Sequence, residues 1–572
     1  MSAKKTSVPK KKENTEATKK KDKISLPEIR EYVASAYIFM MLTVFPLYVR
    51  KGFIMLASYK VVYYRNVSLL FLAVGIALFV PMIISGEIAK NIKARKYSWL
   101  DIAVLAYGIW NVISFLLSPY KADSIRGYAG WEMGLVAQGL MVFGYFLTRC
   151  WYDKGKGSVI AAAITLALES ALVVLNRTGN DPLGFYKHMG WFEWDRRNLL
   201  GTVGNINWIS GYLICVLPIL VILYMQADKF YKRLLGGIGL YLSFAAIMLA
   251  GSRSAVFTLA VLLIVMMIPA SFSLWSITRY LEMLFMICIF WSQMTLFTVD
   301  LIEPMRSDTP HTVYSPLWYI PTVILLAAII AMNLLLNSKM GTGRKDAGKT
   351  AASGKEGLNV KLFPSKMWNF NRDNSEFTPP KAVRMLLLVL PLAILGSGAL
   401  VFILCQFSDS VWQMLGSKDL LRLSDSWGSN RFQVWKETMK AFSKEGIVRW
   451  IFGVGPDAFG VWYEKAGITI SGDGEFAGAI YTNAHNEWIT ALVNTGFIGV
   501  LSYLAIFVMA VWKYGKNIKK EPMVLLGLLT TLVYLVNQFV SFQQICMTPL
   551  FFIILGICAR MCDDREGKRK PG

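Results

Sequence analysis

The chain has 572 residues, of which 55% are hydrophobic and only 17% charged, and its mean hydropathy of +0.45 places it outside the composition of water-soluble domains. The formal net charge of +23 would point to nucleic acid in a soluble chain. Here the basic residues gather in alternate polar segments between apolar runs, the positive-inside pattern of membrane proteins, and no aromatic-and-basic RNA-binding strand motif occurs. Membrane lipid is therefore the expected environment, and no nucleic acid is expected as a partner. The 7 cysteines are scattered singly without metal or redox spacing, which predicts buried free thiols; lipidation at Cys558 and Cys562 is the weaker alternative.

Residues 1–31 form a Lys-rich tail without the apolar stretch of a cleavable signal peptide, so a disordered cytoplasmic segment is expected. Apolar runs of about 17 to 25 residues follow, the length that crosses about 30 Å of hydrocarbon as helix. They predict an all-α polytopic protein with about 14 transmembrane helices: ten in 32–336, one at 384–405 and three in 485–561. The Gly- and Ser-rich basic insert 337–383 reads as a flexible cytoplasmic linker, and 562–572 as a second cytoplasmic tail. Starting inside, basic loops such as Lys90–Lys96 and Lys513–Lys520 fall on the cytoplasmic side. Both termini are then inside a bacterial inner membrane, and the long stretch 406–484 is the one large extracytoplasmic loop. Within it Phe432, Trp435, Met439 and Phe442 recur at helical spacing after a Ser429/Asn430 cap, which predicts an amphipathic helix on the membrane face.

Several patterns lead nowhere. Gly453, Gly455 and Gly460 imitate a dinucleotide-binding spacing but lie in no strand–turn–helix unit, so they read as a glycine turn. The 3 histidines, His188, His311 and His485, are far apart, and no metal-binding pattern includes them. The acidic turn Ser471–Glu475 reads as mobile rather than cation-binding.

Polar residues at the outer ends of spans are the more informative set. Arg253, in Gly251-Ser-Arg-Ser-Ala255, occupies a turn hardly long enough to leave the membrane, where an arginine needs a partner or a function; snorkelling to headgroups is its ordinary alternative. Arg126 and Arg431 also lie on the side that positive-inside disfavours, with anchoring or ion pairing as their ordinary reading. Together such guanidinium forks match the oxygens of a membrane-bound diphosphate. In Tyr481-Thr-Asn-Ala-His485-Asn-Glu-Trp-Ile489, His485 falls in the expected first turn of a helix, whose dipole favours a neutral imidazole beside an anion. A neutral His there can serve as general base or simply as an interfacial or capping residue.

Taken in order, Gly204-Asn-Ile-Asn207 with Gly211-Tyr212, Gly251-Ser-Arg-Ser254, Arg431 with Trp435 before Phe452-Gly-Val-Gly455, and His485-Asn486 followed by Gly496 and Gly499 resemble the O-antigen ligase and lipid-linked glycan polymerase family. The resemblance runs from the first span to Pro549 and leaves out the Lys-rich tail and the insert 337–383. It implies a class C glycosyltransferase fold that moves a glycan from undecaprenyl diphosphate to an acceptor on the outer face, with no metal or other cofactor. By matching position it implies His485 as the catalytic residue and Arg253 and Arg431 as diphosphate ligands. Arg126 matches more loosely, and Asn207 and Asn486 join the substrate-binding set. Metal-dependent relatives in fold carry paired acids in the first outer loop, and Val49–Asn66 here contains none. The acceptor is a glycan, lipid or protein, and ligase and polymerase are not separated by these residues. A transporter or flippase of the same substrate, or a scaffold recruited through 337–383, are the readings from other classes; few intramembrane charges beyond Glu169 and no internal repeat speak against the transporter.

Overall fold

The computed structural model describes residues 25–86, 97–153, 156–188, 198–296, 316–346, 377–468, 480–518 and 522–566. His311, the turn Ser471–Glu475, most of the insert 337–383 and the first 24 residues lie outside them. The described chain is an all-α membrane bundle. The expected apolar runs are helical, and 10 of the described helices are long and apolar enough to cross a bilayer.

In chain order the helices are α1 (Leu26–Phe39), α2 (Leu56–Ile84), α3 (Trp99–Leu116), α4 (Lys121–Arg126), α5 (Leu135–Trp151), α6 (Lys156–Arg177), α7 (Ile206–Met225), α8 (Phe230–Ala250), α9 (Arg253–Ala270) and α10 (Leu274–Leu296). After these come α11 (Tyr319–Asp346), α12 (Lys381–Phe407), α13 (Asp409–Met414), α14 (Trp427–Phe442), α15 (Ile447–Phe452), α16 (Phe459–Lys465), α17 (Glu487–Asn517), α18 (Pro522–Gln538) and α19 (Thr548–Glu566). A two-stranded antiparallel hairpin, β1 (Leu199–Leu200) with β2 (Gly204–Asn205), precedes α7. α7 is the central helix, with 78% of its apolar window buried, whereas α11 and α12 bury only 6% each. The apolar exposure of those two is what lipid-facing helices require.

Charges within the bundle are compensated, as a low-dielectric interior demands. Ser98 caps α3 in a reciprocal box with Asp101, the Ser98 amide donating to Asp101 Oδ2 at 2.7 Å. Asp101 also accepts from Arg149 Nε at 2.9 Å and from the Tyr145 hydroxyl at 2.6 Å, and Asp563 joins Arg149 to Lys513. That network closes one end of the bundle. Glu169 is not the isolated intramembrane charge that the sequence suggests. Thr202 donates to it from both its amide and its hydroxyl, and Lys60 lies close enough to act on it electrostatically. Lys60 in turn donates to the carbonyls of Phe45 at 2.8 Å and Pro46 at 2.5 Å, in the short helical stretch Phe45–Leu47 that follows a π-helical turn (Met40–Val44) at the end of α1.

The segment expected as one span at 485–512 is two helices. Gly496 adopts φ 72° and ψ −177°, a conformation that glycine reaches without strain, and the chain doubles back there. The Trp488 ring packs on Tyr503 at 5.6 Å and Phe507 at 5.8 Å, across the hairpin. Sequence hydropathy misses the break because both arms are apolar. The glycine turn 453–455 is docked on the hairpin tip: the amides of Val454 and Gly455 donate to the carbonyls of Val493 and Asn494 at 2.9 and 2.8 Å. A Cβ on Gly453 would lie 2.5 Å from the Thr495 amide nitrogen, and one on Gly496 would lie 2.6 Å from that of Phe452. From α3, Trp110 Nε1 and Ser114 Oγ donate to the Thr495 and Asn494 carbonyls at 2.8 and 3.1 Å, so the break leaves these backbone acceptors satisfied.

Candidate functional site

The site assembles where α7, α9, α14 and the short arm of α17 begin. Asn205 caps α7 through its side chain, which accepts from the Asn207 amide at 2.9 Å. That fixes Asn207, whose Oδ1 accepts from Ser252 Oγ at 3.1 Å, and Ser252 shares a 2.9 Å hydrogen bond with Ser254. Asn207 is therefore tied to the turn that presents Arg253. Gly251, at φ 79°, makes that turn. Arg253 is the first residue of α9 and its side chain is exposed.

Arg431 arrives from the other side. The expected Ser429/Asn430 cap is instead three consecutive left-handed residues, Gly428, Ser429 and Asn430, at φ 63°, 60° and 67°. Two of them are not glycine, and a left-handed non-glycine residue costs about 1–2 kcal/mol. The regular helix starts at Arg431, half-buried. One turn on, Trp435 Nε1 donates to the carbonyl of Ala484 at 2.8 Å, which ties the Arg431 helix to the residue before His485. Burial first, and then the neighbouring Arg253 charge, lowers the proton affinity of Arg431 below the usual guanidinium range. Neither arginine has an ion pair among the described residues; Asp425 and Glu437, the acids nearest to Arg431 in sequence, are paired with Lys436 and Lys440. Two adjacent cations without an anion between them are electrostatically unfavourable, a cost that a surface anchor would not need to bear.

His485 lies just before the helix, not in its first turn. Its φ of 47° is left-handed, its amide donates to Asn483 Oδ1 at 2.9 Å, and its ring stands edge-on to Phe542 at 5.3 Å and Tyr481 at 6.2 Å. Its pKa is pushed down to about 4, by burial first and by the Arg431 charge second, so the imidazole is neutral at physiological pH. The helix dipole anticipated from sequence is not the cause found here. Asn486 is the N-cap of α17. Its Oδ1 accepts from the amides of Trp488 and Ile489 at 2.9 and 3.2 Å, and its Nδ2 donates to the Phe539 carbonyl at 3.1 Å. Its side chain is thus taken up by the fold, which redirects the expected substrate-binding role to a structural one. Asn486→Ala is expected to lower stability by about 1 kcal/mol or more, measured as a fall in Tm of the purified protein. An unchanged Tm would return the residue to the ligand set.

Arg126 ends α4 with its side chain exposed and is not joined to the Arg253–Arg431–His485 group by any hydrogen bond or ion pair among the described residues. Its own segment contributes through Trp131 instead. Trp131 Nε1 donates to Thr482 Oγ1 at 2.7 Å, and its ring meets Phe542 at 4.8 Å and Trp208 at 5.5 Å. Asp457 holds that segment by accepting, at one oxygen, from the amides of Tyr128 and Met133 at 2.9 and 2.8 Å. Trp131, Phe542 and Asp457 are the site residues that sequence reasoning does not reach. Only Asp457 carries a local signal, its place directly after the Gly453–Pro456 turn. Among the described residues no group of three or more His, Cys, Asp or Glu side chains is placed to hold a metal ion.

No protein-family model and no curated protein matches this chain.

Proposed function

We propose that the chain is a membrane glycosyltransferase of the O-antigen ligase-like kind, moving a glycan from undecaprenyl diphosphate to an acceptor hydroxyl at the outer face of the membrane, as a ligase or as a polymerase of lipid-linked units. The observation that carries this reading is the pairing of a neutral, half-buried imidazole with two adjacent guanidinium groups that lack ion pairs among the described residues. Guanidinium forks suit diphosphate oxygens, and a neutral imidazole next to them suits proton removal.

The acceptor oxygen attacks the anomeric carbon on the face opposite the diphosphate, so the configuration inverts. The bond from that carbon to the diphosphate oxygen breaks, and its electron pair leaves with the diphosphate. His485 takes the acceptor proton; Arg253 and Arg431 stabilise the charge that develops on the leaving group. Neutralising the diphosphate in this way requires no metal ion.

The test uses purified protein in liposomes with an undecaprenyl-diphosphate-linked glycan and an acceptor, in excess EDTA. Glycan joined to acceptor, with undecaprenyl diphosphate released, is the expected result. Activity lost in EDTA and restored by magnesium or manganese would overturn the arginine-only mechanism. Donor crossing between leaflets without transfer would replace the enzyme by a flippase.

A further inference from the structure

Behind the aromatic wall of His485 lies a cavity of about 40 Å³ lined by Asp457, Glu487, Tyr107, Gln138, Asn483 and Gln543, among others, with room for about two or three water molecules. Each of the two carboxylates commits one oxygen to backbone amides of a different segment. Asp457 Oδ2 holds the amides of Tyr128 and Met133, the two sides of the turn that carries Trp131. Glu487 Oε2 accepts from the amide of Gln543 at 2.8 Å, next to Phe542. Trp131 and Phe542 pack against each other, and Phe542 bears the His485 ring. The acids therefore clamp the His485 support from both flanks. Their second oxygens have no hydrogen-bond partner among the described residues, and no basic side chain lines the cavity.

We propose that Asp457 and Glu487 are positioning residues for His485, a buried carboxylate pair that faces this cavity with at most one member ionised and so keeps Trp131 and Phe542 against the imidazole. Two carboxylates facing one small chamber without a cation cannot both ionise cheaply, and these two are close enough for their charges to repel. Glu132, beside Asp457, adds to the repulsion, and burial is the larger cause that raises the Asp457 pKa to about 7. Burial likewise raises Glu487, to about 8. Raised affinity means that these protons stabilise the folded state at low pH, and the contribution is lost as pH climbs from the ordinary carboxylate range through about 7 and then about 8. Once the second proton leaves, both carboxylates are charged and repulsion across the cavity loosens the clamp. The acceptor bonds to Tyr128, Met133 and Gln543 survive either protonation state, because a carbonyl-type oxygen remains available.

This assignment rests on the glycan-transfer reading for its activity readout, and a second readout is independent of it. Transfer is measured from pH 5.5 to 9 for the wild type, Asp457→Asn, Glu487→Gln and the double variant. The wild type is expected to lose transfer above neutrality, approaching about tenfold per pH unit. Each amide variant retains transfer near pH 6 within a few-fold and lacks the alkaline loss, and the double variant matches the singles, because either substitution removes the pair. In parallel, Ser124→Cys places a thiol at a fully buried position of the same segment. Its labelling by an impermeant maleimide should rise with pH more steeply than in the Ser124→Cys/Asp457→Asn background, which corrects for thiol ionisation. Alkaline profiles that are unchanged in the single variants, or labelling ratios that are equal at every pH, would overturn the proposal. Absence of transfer in every protein, the wild type included, would sink the enzymatic reading alone, with the labelling arm still deciding whether the pair acts as a clamp.

Discussion

His485→Ala is expected to lower glycan transfer by about 100- to 10,000-fold, the range supplied by a general base, while the protein stays folded and inserted. Stability is spared because the helix is capped by Asn486 rather than by His485, and because the imidazole meets the Phe542 and Tyr481 rings edge-on. The alanine protein should still bind the lipid diphosphate, since the arginines are untouched. In the wild type the imidazole has its pKa depressed to about 4. The neutral ring thus contributes stability and basicity that are complete above the ordinary histidine range and lost as pH falls through about 4. The acid limb of the rate profile is set there, well apart from the alkaline limb assigned to the carboxylate pair. A proton held so weakly does not stay on His485, so the imidazole is reset for the next turnover. An alanine protein that folds, binds donor and transfers glycan within a few-fold of wild type would leave the mechanism without its base.

Arg253→Lys and Arg431→Lys are each expected to lose about 10- to 100-fold in transfer, although both keep the charge. Lysine loses the planar fork that meets two phosphate oxygens at once, and a charge-assisted hydrogen bond is worth about 1.5–3 kcal/mol. Thermal stability should move the other way. Arg253 depresses the charged form of Arg431 in the free protein, so Arg431→Ala relieves a like-charge repulsion and should leave Tm unchanged or raise it. An arginine kept for anchoring would show the reverse, with lysine tolerated and alanine destabilising. Wild-type transfer by either lysine variant, measured by product formation from the lipid-linked donor, would return that residue to an anchoring role.

Much of the bundle is legible in the sequence because hydrocarbon leaves the backbone no alternative to helix: the apolar runs are helical, and 10 of the described helices are long and apolar enough to cross a bilayer. What hydropathy misses is a matter of three-dimensional pairing. The break at Gly496 is hidden within continuous apolar sequence and becomes evident only from Trp488 meeting Tyr503 and Phe507. Lys60 falls by sequence in the first outer loop Val49–Asn66 but is buried on α2, its ammonium donating to the carbonyls of Phe45 and Pro46. At the site, Arg253, Arg431 and His485 stand out by residue type and place and Asn207 through the resemblance alone; the structure ties Asn207 to the Arg253 turn through Ser252, and the Arg431 helix to Ala484 through Trp435. Asn486 fits the same pattern, yet its amide caps a helix, a role that the pattern does not distinguish from ligand binding. Trp131 and Phe542 carry no such signal, since an aromatic near a span end is ordinary until its neighbours are known.

The doubled-back α17 also bears on how the protein is made. Residues 487–495 would extend about 13 Å at about 1.5 Å of rise per residue, too short to cross about 30 Å of hydrocarbon, so only the arm after Gly496 can serve as a crossing during insertion. The partners that hold the short arm, the Phe539 carbonyl for Asn486 and the Gln543 amide for Glu487, belong to chain synthesised after that crossing. His485 therefore emerges before Phe542, against which its ring stands, has been made. The site is completed late in biogenesis, when the segment between α18 and α19 has emerged, and a nascent chain released before that point would keep the Trp435–Ala484 tie but lack Phe542 and the two bonds that hold the short arm.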